Sequence, residues 1–264
     1  MRVVMVNDCA HVGYELRREL IKRGFKVEHV FFNSKRMPKV ETLRIALRLR
    51  LVDCNLIHAH YCRSPAYASY FSGKPYIVHC HGSDIRGRVN LLKRLCLKKA
   101  VKVLVSTPDL LEVLPDAIWL PNPIDMERFR QLKRHEGNKV LYFPSWYENL
   151  ELRLRRICER LSYELTVQPR TIPYENMHLF LNDFDIFIDR WSIKSYSKTA
   201  LEAMACGLPV VSYKHNLEEM LEKLTSLEER QKLVVWQNRW ILPQHNVKNV
   251  VTKLVNIYRD VYKT

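Results

Sequence analysis

The sequence has no apolar run of the roughly 18–20 residues that a membrane-spanning helix needs, and no Cys-x-x-Cys pair among its seven cysteines. It also lacks short repeats and low-complexity tracts. The first absence excludes a spanning helix, and the second excludes a disulfide framework. Cys9, Cys54, Cys62, Cys80, Cys96, Cys158 and Cys206 flank apolar segments, where cysteine acts as a small core residue. A reducing compartment is the expectation. A hydrophobic share of 47% and a charged share of 27% exclude a mainly disordered chain. The opening run Met1–Asp8 has neither the apolar core nor the small-residue cleavage site of a secretory leader. It reads as a strand, and the protein is expected in the cytoplasm.

Acid is scarce in one region. The chain carries 43 Lys and Arg against 28 Asp and Glu, a net charge of +15. Between residues 35 and 102 there are 15 basic side chains and three acidic ones, Glu41, Asp53 and Asp84. A field so one-sided favours an anionic partner.

At 264 residues the chain is long enough for two compact domains. Strand-like runs alternate with helical-period segments throughout. Arg2–Val6 is followed by a helical face carrying Leu16, Leu20 and Ile21, then by the strand-like Lys26–Phe32. The alternation repeats through Leu56–Ala59, Tyr76–His79 and Val101–Val105. It breaks near Leu120-Pro121-Asn122-Pro123 and resumes at Val140–Phe143. Short strands with helical crossovers predict α/β domains with parallel sheets covered on both faces. The domains are expected at residues 1–127 and 128–264, the last including a long helix near Val247–Tyr262. In such sheets functional loops collect at the carboxyl ends of the strands.

The densest cluster of chemistry is Ser195-Tyr196-Ser197-Lys198-Thr199-Ala200-Leu201-Glu202, between the strand-like Asp185–Asp189 and a helix that Gly207 stops. A helix N-terminus offers free N–H groups and a positive dipole end, suited to a pyrophosphate. Lys198 adds charge, and Glu202 sits about one turn on, within reach of a ribose.

The run Ala200-Leu201-Glu202-Ala203-Met204-Ala205-Cys206-Gly207-Leu208-Pro209-Val210-Val211 resembles the donor-site segment of retaining GT-B glycosyltransferases of the family-4 (group 1) type. Three further segments agree in order and spacing. Asp53–His60 resembles that family's D-x-I-H-x-H stretch, His79–Asp84 its H-G-x-D loop, and Leu120–Phe129 its P-N-G-V-D-x-x-x-F run. The resemblance spans roughly residues 1–215 of a chain unusually short for the family. It implies a GT-B architecture, two Rossmann-like doubly wound domains facing a central cleft. A nucleoside-diphosphate sugar of the UDP or GDP type would be held by the second domain and a glycan or lipid-linked acceptor by the first. Transfer of a hexose with retention is implied, without a catalytic metal or a separate cofactor. By the same resemblance Glu202 matches the glutamate that binds the donor ribose. The backbone of Ser197, Lys198 and Thr199 matches the diphosphate cradle. His81 matches the histidine beside the reacting sugar, and Gly13 a glycine close to the donor.

Two departures stand out. Lys194 occupies the position where the family has a glutamate on the donor sugar, and a cation cannot accept those hydroxyl bonds. Phe143–Asn149 lacks the family's glycine–arginine pair and following lysine, which clamp the phosphates. Arg190, Lys194 and Lys198 are the cations placed to supply that charge instead. These departures support an alternative, a non-catalytic GT-B relative acting as a nucleotide-binding or scaffold protein.

Three other patterns compete for attention. His58-x-His60 and His79-x-His81 on neighbouring strands can gather four imidazoles, as in a zinc hydrolase, though Asp53 and Asp84 are the only nearby acids. Asp183-Phe184-Asp185 is nominally an Asp-x-Asp metal motif, but it precedes a strand inside the second domain. In the basic region Arg44 and Arg48 lie beside Leu43, Leu47 and Leu51, and Arg86, Arg88, Lys93 and Arg94 surround Leu91, Leu92 and Leu95. Both stretches read as helices that face an acceptor or an anionic membrane surface, which predicts a peripheral position on the inner face of the membrane. Nucleic acid is disfavoured, since Tyr61, Tyr67, Tyr70, Phe71 and Tyr76 lie apart from the basic clusters rather than among them.

Overall fold

The computed structural model describes residues 1–32, 39–87, 89–144 and 149–263. The chain forms two compact units, Met1–Pro123 with Val247–Thr264, and Ile124–Asn246. None of the helices among the described residues is long and apolar enough to cross a membrane.

In the first unit β1 (Arg2–Val6) leads through α1 (Val12–Lys22) to β2 (Lys26–Val30) and through α2 (Lys39–Leu51) to β3 (Leu56–His60). Then α3 (Ser64–Ser72), β4 (Tyr76–Cys80), α4 (Leu91–Lys99), β5 (Lys102–Val105), a 3-10 turn at Pro108–Glu112 and β6 (Ile118–Trp119) follow. All six strands are parallel, in the order β2-β1-β3-β4-β5-β6. Parallel strands must be covered on both faces, and alternation along β1 shows how this is done. Val3 and Met5 join Leu16 and Leu20 of α1, whereas Val4 and Val6 join Ile45 and Leu49 of α2 and Ala66 of α3. Because β1 pairs with both β2 and β3, successive connections depart in opposite directions from a switch point between β1 and β3, where such sheets bind ligands.

The second unit contains β7 (Lys139–Tyr142), α5 (Glu151–Arg160), β8 (Glu164–Val167), α6 (Tyr174–Asn182), β9 (Ile186–Ile188), α7 (Lys198–Ala205) and β10 (Val210–Val211). After these come α8 (Leu217–Lys223), α9 (Leu227–Trp240) and α10 (Leu242–His245). Its parallel sheet runs β10-β9-β7-β8, with a switch point between β7 and β9. Leu141 and Phe187 pack on α6 and α7, and Val140 and Ile186 pack on α5 and α8. Where this unit begins and ends, Ile124 N–H donates to His245 O over 2.8 Å and Ile124 bridges Asn246.

The last helix, α11 (Val247–Lys263), corrects the expected division. A boundary at 127/128 assigns it to the second domain, but Val250, Val251, Leu254 and Tyr258 bury against α1 and the Val3–Met5 face of the first sheet. The physical reason is coverage: α1 alone does not cover that face, and α11 supplies the second helix. Arg23, just past the end of α1, fastens it by donating to Thr252 Oγ1 (2.8 Å) and Lys248 O (2.7 Å). The cysteines behave as expected of core residues. All seven are free, and Cys62, Cys80, Cys96, Cys158 and Cys206 are buried. Tyr258 is fully buried, so Tyr258→Ala is expected to cost about 3–5 kcal/mol of stability, measured by urea unfolding. A loss under 1 kcal/mol would contradict this account of α11.

Candidate functional site

In the first unit the groups of interest lie at the carboxyl edge of the sheet. The backbone there is unusual: Asn7 (φ 65°), Ala10 (φ 49°) and His11 (φ 62°) after β1, and Tyr61 (φ 90°) after β3, hold left-handed conformations without being glycine. Such residues cluster at ligand sites. Asp8 Oδ1 accepts the Gly13 N–H at 2.7 Å. A Cβ on Gly13 would lie 3.1 Å from His29 Cε1 and 3.2 Å from both Asp8 Oδ1 and His60 Nε2. Glycine thus lets the first turn of α1 approach the histidines closely.

The loop after β4 is organised by Asp84, which is fully buried. Its Oδ1 accepts from the N–H groups of His81 (3.1 Å) and Gly82 (2.8 Å), and its Oδ2 from Cys62 N–H (2.7 Å). Gly82 has φ +112°, a conformation that the turn requires and L side chains resist. His81 is thereby held against His60, with His60 Nδ1 and His81 Nε2 3.1 Å apart. Burial pushes the His81 pKa down to about 4, against the opposing pull of Asp84 and Asp8. At neutral pH this imidazole is uncharged, able to donate and to accept a hydrogen bond.

In the second unit Asp189 directly follows β9, beside the β7/β9 switch point. Asp189 Oδ2 accepts the Ser197 N–H at 3.0 Å, and Ser197 Oγ caps α7 by accepting from Ala200 N–H at 3.1 Å. The Lys198 and Thr199 N–H groups have no acceptor among the described residues. Lys198 is buried, its Nζ 2.6 Å from Glu202 Oε1 and 4.8 Å from the centre of the Tyr174 ring. Arg170 Nη2 donates to Glu202 Oε2 at 3.3 Å. The fully buried Glu202 carboxylate is therefore bound on both oxygens. Two cations around one carboxylate leave a net positive charge at the first turn of α7, adding to the helix dipole.

The structure brings Ser197, Lys198, Thr199 and Glu202 together in one turn. Arg190 is half-buried ahead of that turn, and Lys194 is exposed. Gly13 and His81 both lie at the carboxyl edge of the first sheet. Asp189, Arg170 and Tyr174 were missed in the sequence. Asp189 had a readable signal, a carboxylate at a strand end; Arg170 and Tyr174 had none. Of the basic set, Arg44, Arg48 and Arg94 are exposed, with Arg48 paired to Glu28 at 2.8 Å. Arg86 is tied to Asp109 at 2.7 Å. Lys93 is a correction: it is buried and donates to the Asp84 carbonyl, because α4 turns that position toward the sheet. Arg88 and the stretch 145–148 of the phosphate-clamp segment lie outside the described residues. Asp185 is buried and accepts from the Gly137 and Lys139 N–H groups, each at 3.0 Å, a structural role.

No family model and no curated protein matches the chain by sequence. Solved structures do match. Sucrose-phosphate synthase from Thermosynechococcus elongatus is similar over 100% of this chain and 99% of its own, with a TM-score of 0.72 at 10% identity. HepE from Anabaena, in complex with UDP and glucose, is similar over 98% of this chain and 100% of its own, with a TM-score of 0.69 at 10% identity. The catalytic domain of starch synthase IV from Arabidopsis thaliana, bound to ADP and acarbose, gives 0.59 at 9% identity over 99% and 98%. The fold is that of GT-B glycosyltransferases.

Burial raises the Asp189 pKa above its usual 3.8, with Ser197 and Arg190 opposing the shift. The folded chain thus holds a proton that the unfolded chain has already released, so this group's stabilising contribution fades as pH rises from the ordinary carboxylate range through the raised value. Asp189→Asn is expected to gain stability relative to wild type over that window and keep the gain above it. Urea unfolding at a series of pH values tests this, and a difference independent of pH would refute it.

Proposed function

We propose that the chain is a glycosyltransferase that moves a hexose from a UDP- or GDP-sugar to a glycan or lipid-linked acceptor, with retention of configuration and without a catalytic metal. The observation that carries the reading is the first turn of α7. There, unclaimed N–H groups and a net positive Lys198–Glu202–Arg170 cluster meet, in a chain of which 98% is similar in fold to a UDP-bound structure.

In this reading the diphosphate rests on the Lys198 and Thr199 N–H groups. As the anomeric bond loosens toward an oxocarbenium ion, negative charge grows on the leaving oxygen, where preorganised donors are worth about 3–4 kcal/mol each. Glu202 binds the ribose by exchanging its Arg170 contact, the longer of its two, for hydroxyl bonds. Arg170 is then released toward phosphate, and Arg190 and Lys194 are the further cations on that approach. Within the first unit, neutral His81 is suited to a hydroxyl rather than a charge, and Gly13 leaves the carboxyl edge of the first sheet open to close approach of backbone.

Lys194 favours a second reading, a GT-B relative that binds nucleotide without transferring sugar, because it is an exposed cation where the resembled family has a carboxylate. Calorimetric titration separates the two in stages. Micromolar binding of UDP or GDP, weakened at least about tenfold (about 1.4 kcal/mol) in Glu202→Gln, supports the donor site. Binding to neither nucleotide, or unchanged binding in the variant, overturns it. Sugar transfer to a glycan or lipid-linked acceptor then distinguishes enzyme from binder. Glu202→Ala is the poorer probe: it strands Lys198 as a buried unpaired charge, at about 3–5 kcal/mol of stability.

The acceptor side is proposed to meet an anionic membrane. Val40, Leu43, Leu47 and Leu51 form one face of α2 and are 79%, 58%, 56% and 86% exposed. Exposed Arg44, Arg48 and Arg50 border them. An apolar stripe edged by arginine suits a helix lying at the lipid interface. The chain is expected to sediment with vesicles containing phosphatidylserine, less so at high salt, and the double variant Leu43→Asp/Leu47→Asp to remain in the supernatant. Equal sedimentation of both proteins would end this part of the proposal.

A further inference from the structure

A second feature lies deeper in the first unit and is independent of the donor-site reading. His58 and His60 project from the same face of β3, and in the β3–β4 register His60 stands opposite His79. All three rings are fully buried. Each offers one nitrogen within 4.8 Å of those offered by the other two. Their hydrogen bonds leave the set incomplete. His58 Nδ1 meets the Tyr258 hydroxyl at 2.6 Å, His58 Nε2 meets His79 Nδ1 at 3.3 Å, and His60 Nδ1 meets His81 Nε2 at 3.1 Å. The Nε2 atoms of His60 and His79 are buried with no partner among the described residues. Buried polar atoms are almost always satisfied, and two orphans in one cluster call for a bound species.

We propose that His58, His60 and His79 bind a divalent transition-metal ion of the zinc or cobalt class. An all-imidazole donor set suits these ions and discriminates against magnesium and calcium, which take oxygen ligands. Burial, reinforced by the neighbouring imidazoles, keeps the rings in the neutral form that coordinates metal. Bonds of about 2.0–2.1 Å require the three nitrogens to draw together from their present spacing, and the His58–His79 hydrogen bond is exchanged for coordination. Tyr258 is already placed as the outer partner of His58, accepting from Nδ1–H and fixing the tautomer that leaves Nε2 free. A metal on His60 Nε2 likewise keeps the His60 proton on Nδ1, directed at His81 Nε2. The ion would therefore set the tautomer of His81 without touching it.

The test uses the full chain, stripped with chelator and then dialysed against Zn²⁺ or Co²⁺. One tightly held ion per chain is expected, with a raised melting temperature and the visible absorption of cobalt in a nitrogen-ligand field. His60→Ala and His79→Ala should each weaken binding by at least about tenfold, while the exposed His11→Ala binds as wild type. Failure of the wild-type chain to retain metal at micromolar concentration overturns the proposal and leaves water as the partner of the two nitrogens. Retention by both buried-histidine variants overturns it too. Should a variant fail to fold, X-ray absorption on the wild-type cobalt protein counts the imidazole ligands directly. Three uphold the proposal and fewer refute it.

Discussion

A parallel sheet has no face it can leave in water, and in this protein that constraint determines where everything else goes. In the first unit the strands β1, β3 and β4 carry apolar residues on both sides, so each face must be roofed by helices. One roof, α2 to α4, follows from local crossovers. The other needs α1 and a helix that arrives only after the whole second unit has been made. That helix, α11, buries Val250, Val251, Leu254 and Tyr258 on the same face as Val3 and Met5. Its return brings Tyr258 to His58 across 200 positions of sequence. The histidine cluster is therefore completed by the closing helix, and its order depends on the end of the chain being in place.

Coverage also explains why polar chemistry gathers at the carboxyl edges. With both faces sealed, backbone N–H groups and side chains can reach a ligand only where strands end and helices begin. Asp84 and Asp189 illustrate one solution in the two units. Each is a buried carboxylate just past a strand end, and each accepts backbone N–H groups from the loop that follows. They hold His81 and Ser197 in place. Asp84 has both oxygens occupied by these hydrogen bonds, whereas Asp189 uses only Oδ2 for the loop and buries Oδ1 without a partner among the described residues.

Most of the fold is legible in the sequence because most elements bury one consistent apolar pattern. Arg2–Val6 and Leu56–Ala59 read as buried strands and are; the helix from Ser197 is capped by Ser197 itself. The elements that escaped have a different chemistry. In α9 the buried residues include Arg230 and Gln237, while Leu227, Val235, Trp236 and Trp240 are exposed. Arg230 donates to the carbonyls of Leu224 and Gly137, and Gln237 to that of Val210. A helix attached through polar side chains to backbone carbonyls has no apolar period to read. The division into units was hidden for a related reason: periodicity reports that α11 has a buried face, and is silent on which sheet buries it. The same holds at the candidate site. Glu202 and Lys198 were readable as a helix-start pattern, but Arg170 reaches Glu202 from a loop 32 positions away, a distance at which one sequence carries no signal.

The Lys198–Glu202 pair sets how the second site can work. A buried ion pair adds little net stability, since desolvation offsets the attraction, yet removing one partner is severe. Such a pair is kept where it positions something. Lys198 is held by Glu202 and the face of Tyr174, so its charge stays at the helix start instead of following solvent. Arg170 is different: a third of its side chain is exposed and its contact with Glu202 is the longer one, which makes it the member of the trio free to change partners. In the function proposed above, a fixed cation, a fixed carboxylate and an exchangeable cation would form an anion site whose charge is preorganised and whose last contact is made on binding. On that proposal the arrangement would stand in for part of the glycine–arginine clamp of the resembled family, using a residue from another loop. Phosphate binding by this unit, as proposed, therefore does not depend on that clamp's sequence.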